Sequence, residues 1–372
     1  MDLQYDDVQR MLRDSVREFV ARECPSSRVR AAETAADGFD ATLWASMCAL
    51  GWIGLVLPEE YGGAGQGLLE LAVVVEQLGY GCVPSPLLTS TATAALPISW
   101  VADEATCRRW LPGLADGSLI GAAPLDPQPR VVTDETWRLR GTSTLVPYAA
   151  HCAALLLPVR VPTDELAVVL VRNDPAVPLP MRRLHVLTEE PLYTVDVEGV
   201  QIGAEDVLAS GAAAEELLAR TNDVAAVLSL AYAVGAAERS LDLSLEHASS
   251  REQFGRPIGS FQAVAHRCVD MRTDVDACRY LAYQAAWAVD HADAESAEAA
   301  VSAAKSFANE AMRRVQRSAH QVHGALGFTL EHDLQLFTRR LKAFELTFGS
   351  TAWHRERLAA MMGLSAAELS SP

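Results

Sequence analysis

Apolar residues recur at every third or fourth position over most of the chain, which is the spacing of one face of an α-helix. This pattern predicts helices in the first third at 6–22, 41–50, 68–79, 90–101 and 105–114. In the last part of the chain it predicts helices at 213–249, 260–290, 294–323, 333–347 and 351–362, with Ser260 as an N-cap. Because the long helices of this second group are joined by short turns, we expect an antiparallel four-helix bundle.

The stretch between the two helical regions has a different pattern of residues. It consists of short β-branched and aliphatic runs bounded by Pro, Asp, Asn or Gly, which is typical of strands. The runs are Arg130–Thr133, Trp137–Val146, Ala153–Val161, Ala167–Arg172, Leu192–Val197 and Glu205–Leu208. The sequence therefore predicts a mainly α protein with a β middle domain, a small barrel or sandwich. The predicted domains are 1–119, 120–211 and 212–372.

Composition and charge restrict the possible partners. The formal net charge is −17 over 372 residues, which argues against a nucleic-acid backbone or an anionic membrane surface as partner. The seven cysteines are scattered without a C-x-x-C pair, which favours reduced thiols and a cytoplasmic location. The N-terminus shows no basic and apolar signal-peptide pattern, and no uncharged apolar run approaches ~20 residues, so we expect no membrane span.

The turn between the first two bundle helices carries the strongest candidate chemistry. It reads Arg251-Glu-Gln-Phe-Gly-Arg-Pro-Ile-Gly-Ser-Phe-Gln262 and combines arginine, amide and aromatic side chains. Arginine and amide groups beside a helix N-terminus suit a phosphate group. A solvated loop is the alternative interpretation of such a polar turn.

Three motifs, in order and in matching contexts, resemble those of the acyl-CoA dehydrogenase family over essentially the whole chain. They are Leu57-Pro58-Glu-Glu-Tyr61-Gly62-Gly63, Arg251-x-Gln253-Phe254-Gly255-x-Pro257-Ile258-x-x-Phe261-Gln262 and Gln321-x-x-Gly324-x-x-Gly327-Phe328. The resemblance implies helices, a small β domain and a four-helix bundle. It also implies bound FAD and oxidation of the α–β carbon bond of an acyl-CoA, with a glutamate removing the α-proton.

The residues that the family uses as this base are absent here. Alignment on Arg339 to Lys342 places Phe348 at the usual glutamate position, and the alternative position on the first bundle helix is Ala225. Asp223 lies two residues before Ala225, which is about 200° around a helix and points it away. Glu345 is rotated by only about 60° from Phe348, so it is the low-priority substitute base; a solvated helix glutamate is the alternative.

The resemblance also allows the two halves of the flavin site to be compared. The family's isoalloxazine clamp corresponds to 122–129 and to Leu145-Val146-Pro147, which lack its threonine, Gly-Ser and tryptophan. The residues that contact the ADP half of a neighbouring subunit's FAD are retained. They are Arg251, Gln253, Phe254, Gln262, Gln321, Gly324 and Ala325.

This division implies FAD shared across a subunit interface. We expect the non-catalytic subunit of a heteromeric, α2β2 dehydrogenase, such as those of actinobacterial steroid side-chain degradation, with the acyl-CoA bound in a paralogous catalytic partner. The alternatives are a self-sufficient flavoenzyme with a relocated base or other flavin chemistry, and a redox-silent scaffold. His320 and His323 lie at i and i+3 on one helix, but further metal ligands are lacking, so we predict no metal site and a structural role.

Overall fold

The computed structural model describes residues 5–126, 128 and 131–364. Among these, the contacts define two compact units. One contains the chain up to Val29, Leu68–Val83 and the residues from Ala226 onward. The other contains Arg30–Gly67 and Pro84–Ala225. Pro127, Pro129 and Arg130, which belong to the predicted flavin loop and first strand, lie outside the described residues.

The predicted helices are present with small changes of boundary. In the first part of the chain they are α1 Asp7–Glu23, α2 Ser26–Thr34, α3 Ala41–Ala49, α4 Leu68–Tyr80, α5 Leu87–Ser90, α6 Leu96–Val101 and α7 Glu104–Asp116. Residues Thr91–Ala95, between α5 and α6, form a π-helical segment, so the predicted helix at 90–101 is one helical stretch with a bulge. In the last part they are α8 Ala212–Ser250, α9 Gln262–His291, α10 Ala294–His323, α11 Leu334–Leu346 and α12 Thr351–Met361.

Two helix ends differ from the prediction. The sequence analysis ends the first helix at Cys24-Pro25 and places no helix after it, yet α2 begins directly after Pro25, where proline's fixed φ suits a helix start. Ser260 is not the N-cap of α9. Phe261 holds that position without a side-chain cap, and the Ser260 hydroxyl donates to the carbonyl oxygen of Pro257 at 2.7 Å.

Close backbone packing and a buried ionic network join α4 to the bundle. A side chain at Gly235 on α8 would overlap the carbonyl oxygen of Glu76, so α4 and α8 touch through their backbones. The buried Glu76 carboxylate accepts from Arg279 Nε at 3.0 Å and from Tyr283 Oη at 2.7 Å, both on α9. Arg279 also donates to Glu238 of α8 at 2.7 Å. Three helices are thereby fixed around one buried carboxylate.

The predicted β domain consists of two separate sheets. Its strands are β1 Gly121–Ala122, β2 Val131–Thr133, β3 Leu139–Arg140, β4 Thr142–Pro147, β5 Ala154–Arg160, β6 Leu166–Arg172, β7 Met181–Leu184, β8 Leu192–Asp196 and β9 Val207–Ser210. One sheet has the order β3-β2-β5-β6-β9 with β1 beside β5, and the other has the order β4-β8-β7. Strand β7 is missing from the prediction because its sequence, Met-Arg-Arg-Leu, shows neither alternation nor β-branched residues.

Helix α8 is the longest element, and by length and composition alone it could cross a membrane. Its most apolar window has a mean hydropathy of 1.3, and 78% of that window is buried inside the protein. An apolar helix that is covered by the rest of its own chain is a core helix.

Candidate functional site

The turn between α8 and α9 is a small hairpin that projects from the bundle. β10 Glu252–Gln253 pairs antiparallel with β11 Arg256–Pro257, and the two residues between them, Phe254 and Gly255, have φ of 54° and 77°. Two positive φ values are those of a type I′ hairpin turn, in which an aromatic residue is strained. The Phe254 side chain is 93% exposed, although its ring lies edge-on to Phe261 at 6.0 Å. The hairpin therefore presents an aromatic ring to solvent.

Most of the polar side chains of the hairpin are also available. Arg251 is exposed, and its guanidinium forms no ion pair with the part of the chain that the structure describes. Its backbone N–H donates to the carbonyl oxygen of His247 at 2.9 Å, which continues the end of α8. Gln262, at the start of α9, is exposed, whereas the Gln253 amide donates to the neighbouring carbonyl oxygen of Glu252 at 2.8 Å. Arg251 and Gln262 are thus free to bind a ligand, whereas Gln253 would first have to break its hydrogen bond to the carbonyl oxygen of Glu252.

A pocket of about 340 Å³ lies at the C-terminal end of α10 and in the 3₁₀ turn Gly324–Phe328. Two of the predicted residues, Gln321 and Gly324, are part of its wall, whereas Ala325 is exposed in the same turn without lining it. The other lining residues are Gln316, Arg317, His320 and Phe328. His320 and Phe328 are stacked at 4.5 Å, which gives the pocket an aromatic wall beside an arginine and two amides. Such a set suits a base and a phosphate.

The ends of α8 and α10 meet through their histidines. The rings of His247, one turn before Arg251, and of His323, next to Gly324, are stacked with centroids 4.8 Å apart. The structure therefore brings the hairpin and the α10 pocket, which are about 70 residues apart in sequence, to one end of the bundle. Sequence reasoning grouped these residues only through the family resemblance.

The turn at 347–350, which contains the predicted base position, carries no carboxylate. Phe348 occupies the left-handed region at φ 54°, and its carbonyl oxygen accepts from His354 Nε2 at 3.0 Å. The carbonyl oxygen of Gly349 accepts from Asn309 Nδ2 at 3.3 Å and from Lys305 Nζ at 3.5 Å. A ring of polar side chains therefore holds this backbone turn from inside the bundle.

Two of these side chains are deeply buried titratable groups that the sequence analysis missed. Lys305 is 1% exposed and His354 is fully buried. Burial lowers the pKa of Lys305 to about 7, with the charge of Glu345 acting in the opposite direction. Burial also lowers the pKa of His354 to about 4. A lysine in an alanine-rich helix reads as a surface residue, and only its position on the buried face of α10, three residues after Ser302, could have indicated otherwise.

The substitute base considered above, Glu345, is engaged in an ion pair. Its Oε2 accepts from Lys342 Nζ at 2.8 Å, three residues earlier on α11. This is the geometry of an ordinary helix-surface pair. At the alternative base position on α8, Ala225 is fully buried and has no group that could accept a proton.

The predicted flavin-ring clamp lies in the compact unit that contains Pro84–Ala225. A backbone hydrogen bond joins its two described segments. The N–H of Leu125 donates to the carbonyl oxygen of Leu145 at 3.0 Å. Leu145 itself has φ 58° and lies in a bulge of β4, and Pro147 pairs with Leu192 without an N–H to donate. Strand β4 therefore offers aliphatic groups where a flavin ring would need donors and an aromatic platform.

The two halves of an FAD molecule are thus matched differently by this chain. The hairpin and the α10 pocket combine arginine, amide and aromatic groups that fit an adenosine diphosphate. The residues at 125, 145 and 147 do not fit the isoalloxazine ring.

Comparison with known proteins agrees with this fold. The profile of the acyl-CoA dehydrogenase N-terminal domain matches residues 6–118, and that of the C-terminal domain matches residues 217–363. The acyl-CoA dehydrogenase IpdE2 of Mycobacterium tuberculosis is 34% identical over 333 residues, which cover 89% of this chain and 90% of that protein. IpdE2 of Mycolicibacterium smegmatis is 32% identical over 355 residues, covering 94% and 97% of the two chains.

Two solved structures extend the similarity to the whole architecture. A chain of the ChsE4-ChsE5 complex from Mycobacterium tuberculosis is 27% identical, covers all of both chains and superposes with a TM-score of 0.88. A chain of the Tcur3481-Tcur3483 steroid ACAD is 29% identical, with coverage of 95% and 97% and a TM-score of 0.85. These similarities confirm the predicted fold class of N-terminal helices, β middle domain and C-terminal helical domain. The chain belongs to the acyl-CoA dehydrogenase family.

Proposed function

We propose that this chain is the non-catalytic subunit of a heteromeric, FAD-dependent acyl-CoA dehydrogenase. In this proposal it supplies the surface that binds the ADP half of the FAD. A paralogous partner supplies the catalytic glutamate, the flavin-ring site and the acyl-CoA site. The flavin, when bound, accepts the hydride that leaves the β-carbon of the thioester.

One observation carries the proposal. At the base position Phe348 presents an aromatic side chain on a backbone turn that Lys305, Asn309 and His354 hold in place. The exposed hairpin and the α10 pocket, in contrast, keep the groups that suit adenosine diphosphate. A chain that keeps only the contacts useful to a neighbour is best explained as part of an assembly.

The relatives support both the assembly and a substrate class. Among the similar structures, ChsE4-ChsE5 is a complex of two different proteins, and Tcur3481-Tcur3483 is a steroid ACAD. We therefore propose an α2β2 assembly that acts on the CoA thioester of a steroid side chain.

The proposal is tested by expressing the full chain alone and together with a paralogue that keeps the family's Glu-Gly and Gly-Ser motifs. The chain alone should bind less than about a tenth of an equivalent of FAD, whereas the complex should hold one FAD per heterodimer. In the complex, Arg251→Ala should lower the FAD content without dissociating the subunits. The matched control is Arg256→Ala in the same hairpin, because Arg256 lies over the Phe261 ring at 4.1 Å.

A self-sufficient enzyme gives the opposite results. Stoichiometric FAD in the isolated chain, as a yellow homotetramer, would contradict the proposal. Glu345→Gln in the complex should leave turnover unchanged, because this carboxylate is paired with Lys342. Loss of turnover in that variant would instead assign the base to Glu345. A complex that leaves the partner's FAD content and activity unaltered would indicate a scaffold.

A further inference from the structure

Three histidines form a cluster between the hairpin and the α10 pocket. The His323 ring is stacked on His247 at 4.8 Å, and it meets His332 edge-on at 4.8 Å. His247 comes from α8, His323 from α10 and His332 from the segment before α11. His320, one turn before His323 on α10, lines the pocket. Three elements therefore contribute to the cluster.

The hydrogen bonds show where the protons lie in the neutral cluster. His323 Nδ1 donates to the carbonyl oxygen of Ala319 at 2.8 Å, because a carbonyl can only accept. Its Nε2 is therefore a lone pair in the neutral ring, and no described group donates to it, although His323 is only 5% exposed. His332 Nδ1 accepts from the Leu334 N–H at 3.1 Å, so its proton lies on Nε2. The cluster holds a buried acceptor with room for one more proton.

Burial and neighbouring positive charges oppose that proton in the absence of a ligand. Burial, followed by the charges of His323, His332 and Arg251, lowers the pKa of His247. Burial and the same two neighbouring histidines lower the pKa of His320. On the other side, Glu331 and Asp333 flank His332, and the Asp333 carboxylate accepts from Ser26 Oγ at 2.6 Å. The positive charge of Arg251 is the one that an anionic ligand would offset.

We propose that the cluster of His247, His323 and His332 is part of the diphosphate-binding surface and takes up a proton when the diphosphate binds beside Arg251. This inference rests on the proposed function, since it concerns the same ADP-side surface. The two negative charges of a diphosphate diester favour a nearby imidazolium. Because binding and protonation favour each other reciprocally, FAD must then bind more tightly as pH falls.

FAD is the suitable probe because its diphosphate diester does not titrate near neutral pH. The apo form of the heteromeric complex is titrated with FAD by calorimetry from pH 6 to 8, in two buffers of different ionisation enthalpy. We expect uptake of about half to one proton per FAD near pH 7 and an affinity that falls about threefold to tenfold per pH unit. Riboflavin, which lacks the ADP half and carries no phosphate, should bind without this proton uptake.

Variants assign the proton to the cluster. His247→Gln should abolish most of the proton uptake and flatten the pH dependence of FAD binding. If that variant does not fold, His332→Gln serves in its place and should reduce both effects. His291→Gln is the control, because His291 is at the far end of α9, stacked on Trp287 at 5.0 Å. Unchanged uptake in both cluster variants would overturn the inference. FAD binding with no pH dependence overturns this inference alone, whereas failure of the complex to bind FAD overturns the proposed function with it.

Discussion

Lys305 is the largest side chain that is completely buried in the described part of the chain, and its replacement tests the polar ring behind the 347–350 turn. Its ammonium donates to Asn309 Oδ1 at 2.7 Å and to the carbonyl oxygen of Phe344 at 2.9 Å. It also lies 3.9 Å from the centroid of the Phe344 ring. Lys305→Met keeps an unbranched apolar stem that is one atom shorter and removes the charge and the donors.

The pH dependence of this effect follows from the pKa of Lys305, which burial lowers from 10.5 to about 7. Below pH 7 both the folded and the unfolded chain hold the proton, so the folded state carries the full cost of a buried charge. Between pH 7 and 10.5 the unfolded chain binds more protons, so the free energy of unfolding rises with pH. Each pH unit contributes about 1.4 kcal/mol. Lys305→Met lacks this contribution.

Because Lys305 is half-deprotonated at pH 7 in the folded chain, we expect the stability difference between wild type and Lys305→Met to grow by about 2 kcal/mol from pH 7 to pH 9, in favour of the wild type. Urea unfolding followed by tryptophan fluorescence at pH 7, 8 and 9 measures this difference, and the titrations of other groups cancel in the comparison. Lys342→Met is the control, because Lys342 is partly exposed and should show no such trend. A difference that stays constant or shrinks with pH would refute the reasoning, since it would mean that the carbonyl acceptors keep Lys305 charged.

Two further predictions concern the packing of α4 against the bundle. Gly235→Ala should destabilise the protein by more than about 3 kcal/mol in the same urea assay, because its methyl group would overlap backbone atoms of Glu76 and Tyr80; a change below 1 kcal/mol would contradict this packing. Arg279→Met should cost about 3–5 kcal/mol by leaving the Glu76 carboxylate buried without its cation, whereas Arg272→Met on the exposed side of α9 should cost less than about 1 kcal/mol. Equal effects of the two arginine replacements would show that the buried ion pair contributes no more to the free energy of unfolding than an exposed one.

The long helices were predictable because their apolar spacing persists over many turns. The pattern on α8 and α10 extends far enough to locate both ends to within about one residue. Short elements carry too few positions for such a pattern. Helix α2 follows a proline that looks like a stop, and β7 is held by pairing with Leu192–Asp196 rather than by its own apolar residues. Their existence depends on neighbours that sequence spacing does not reveal.

The residues of the candidate site also divide into those that the sequence predicts and those that only the structure reveals. Arg251, Gln321 and Gly324 were predictable because each belongs to a motif that is one continuous stretch of the sequence. The structure adds His247 and His332, whose rings meet that of the already identified His323 because the ends of α8 and α10 and the segment before α11 lie together. Each is an ordinary residue in its own segment.

Lys305 shows why the remaining part could not be inferred from the chain alone. An isolated lysine in a helix favours solvent, since burying its ammonium without partners costs several kcal/mol. Its burial becomes acceptable because α11 ends beside it, where the carbonyl oxygen of Phe344 accepts the Thr347 N–H at only 3.4 Å and also accepts from Lys305 Nζ at 2.9 Å. The helix end supplies an acceptor for the buried ammonium, and the lysine adds a second, shorter hydrogen bond to the carbonyl oxygen of Phe344. The turn at the predicted base position is therefore tied to a buried ammonium that would be unfavourable without this helix end, a dependence that spacing and composition do not express.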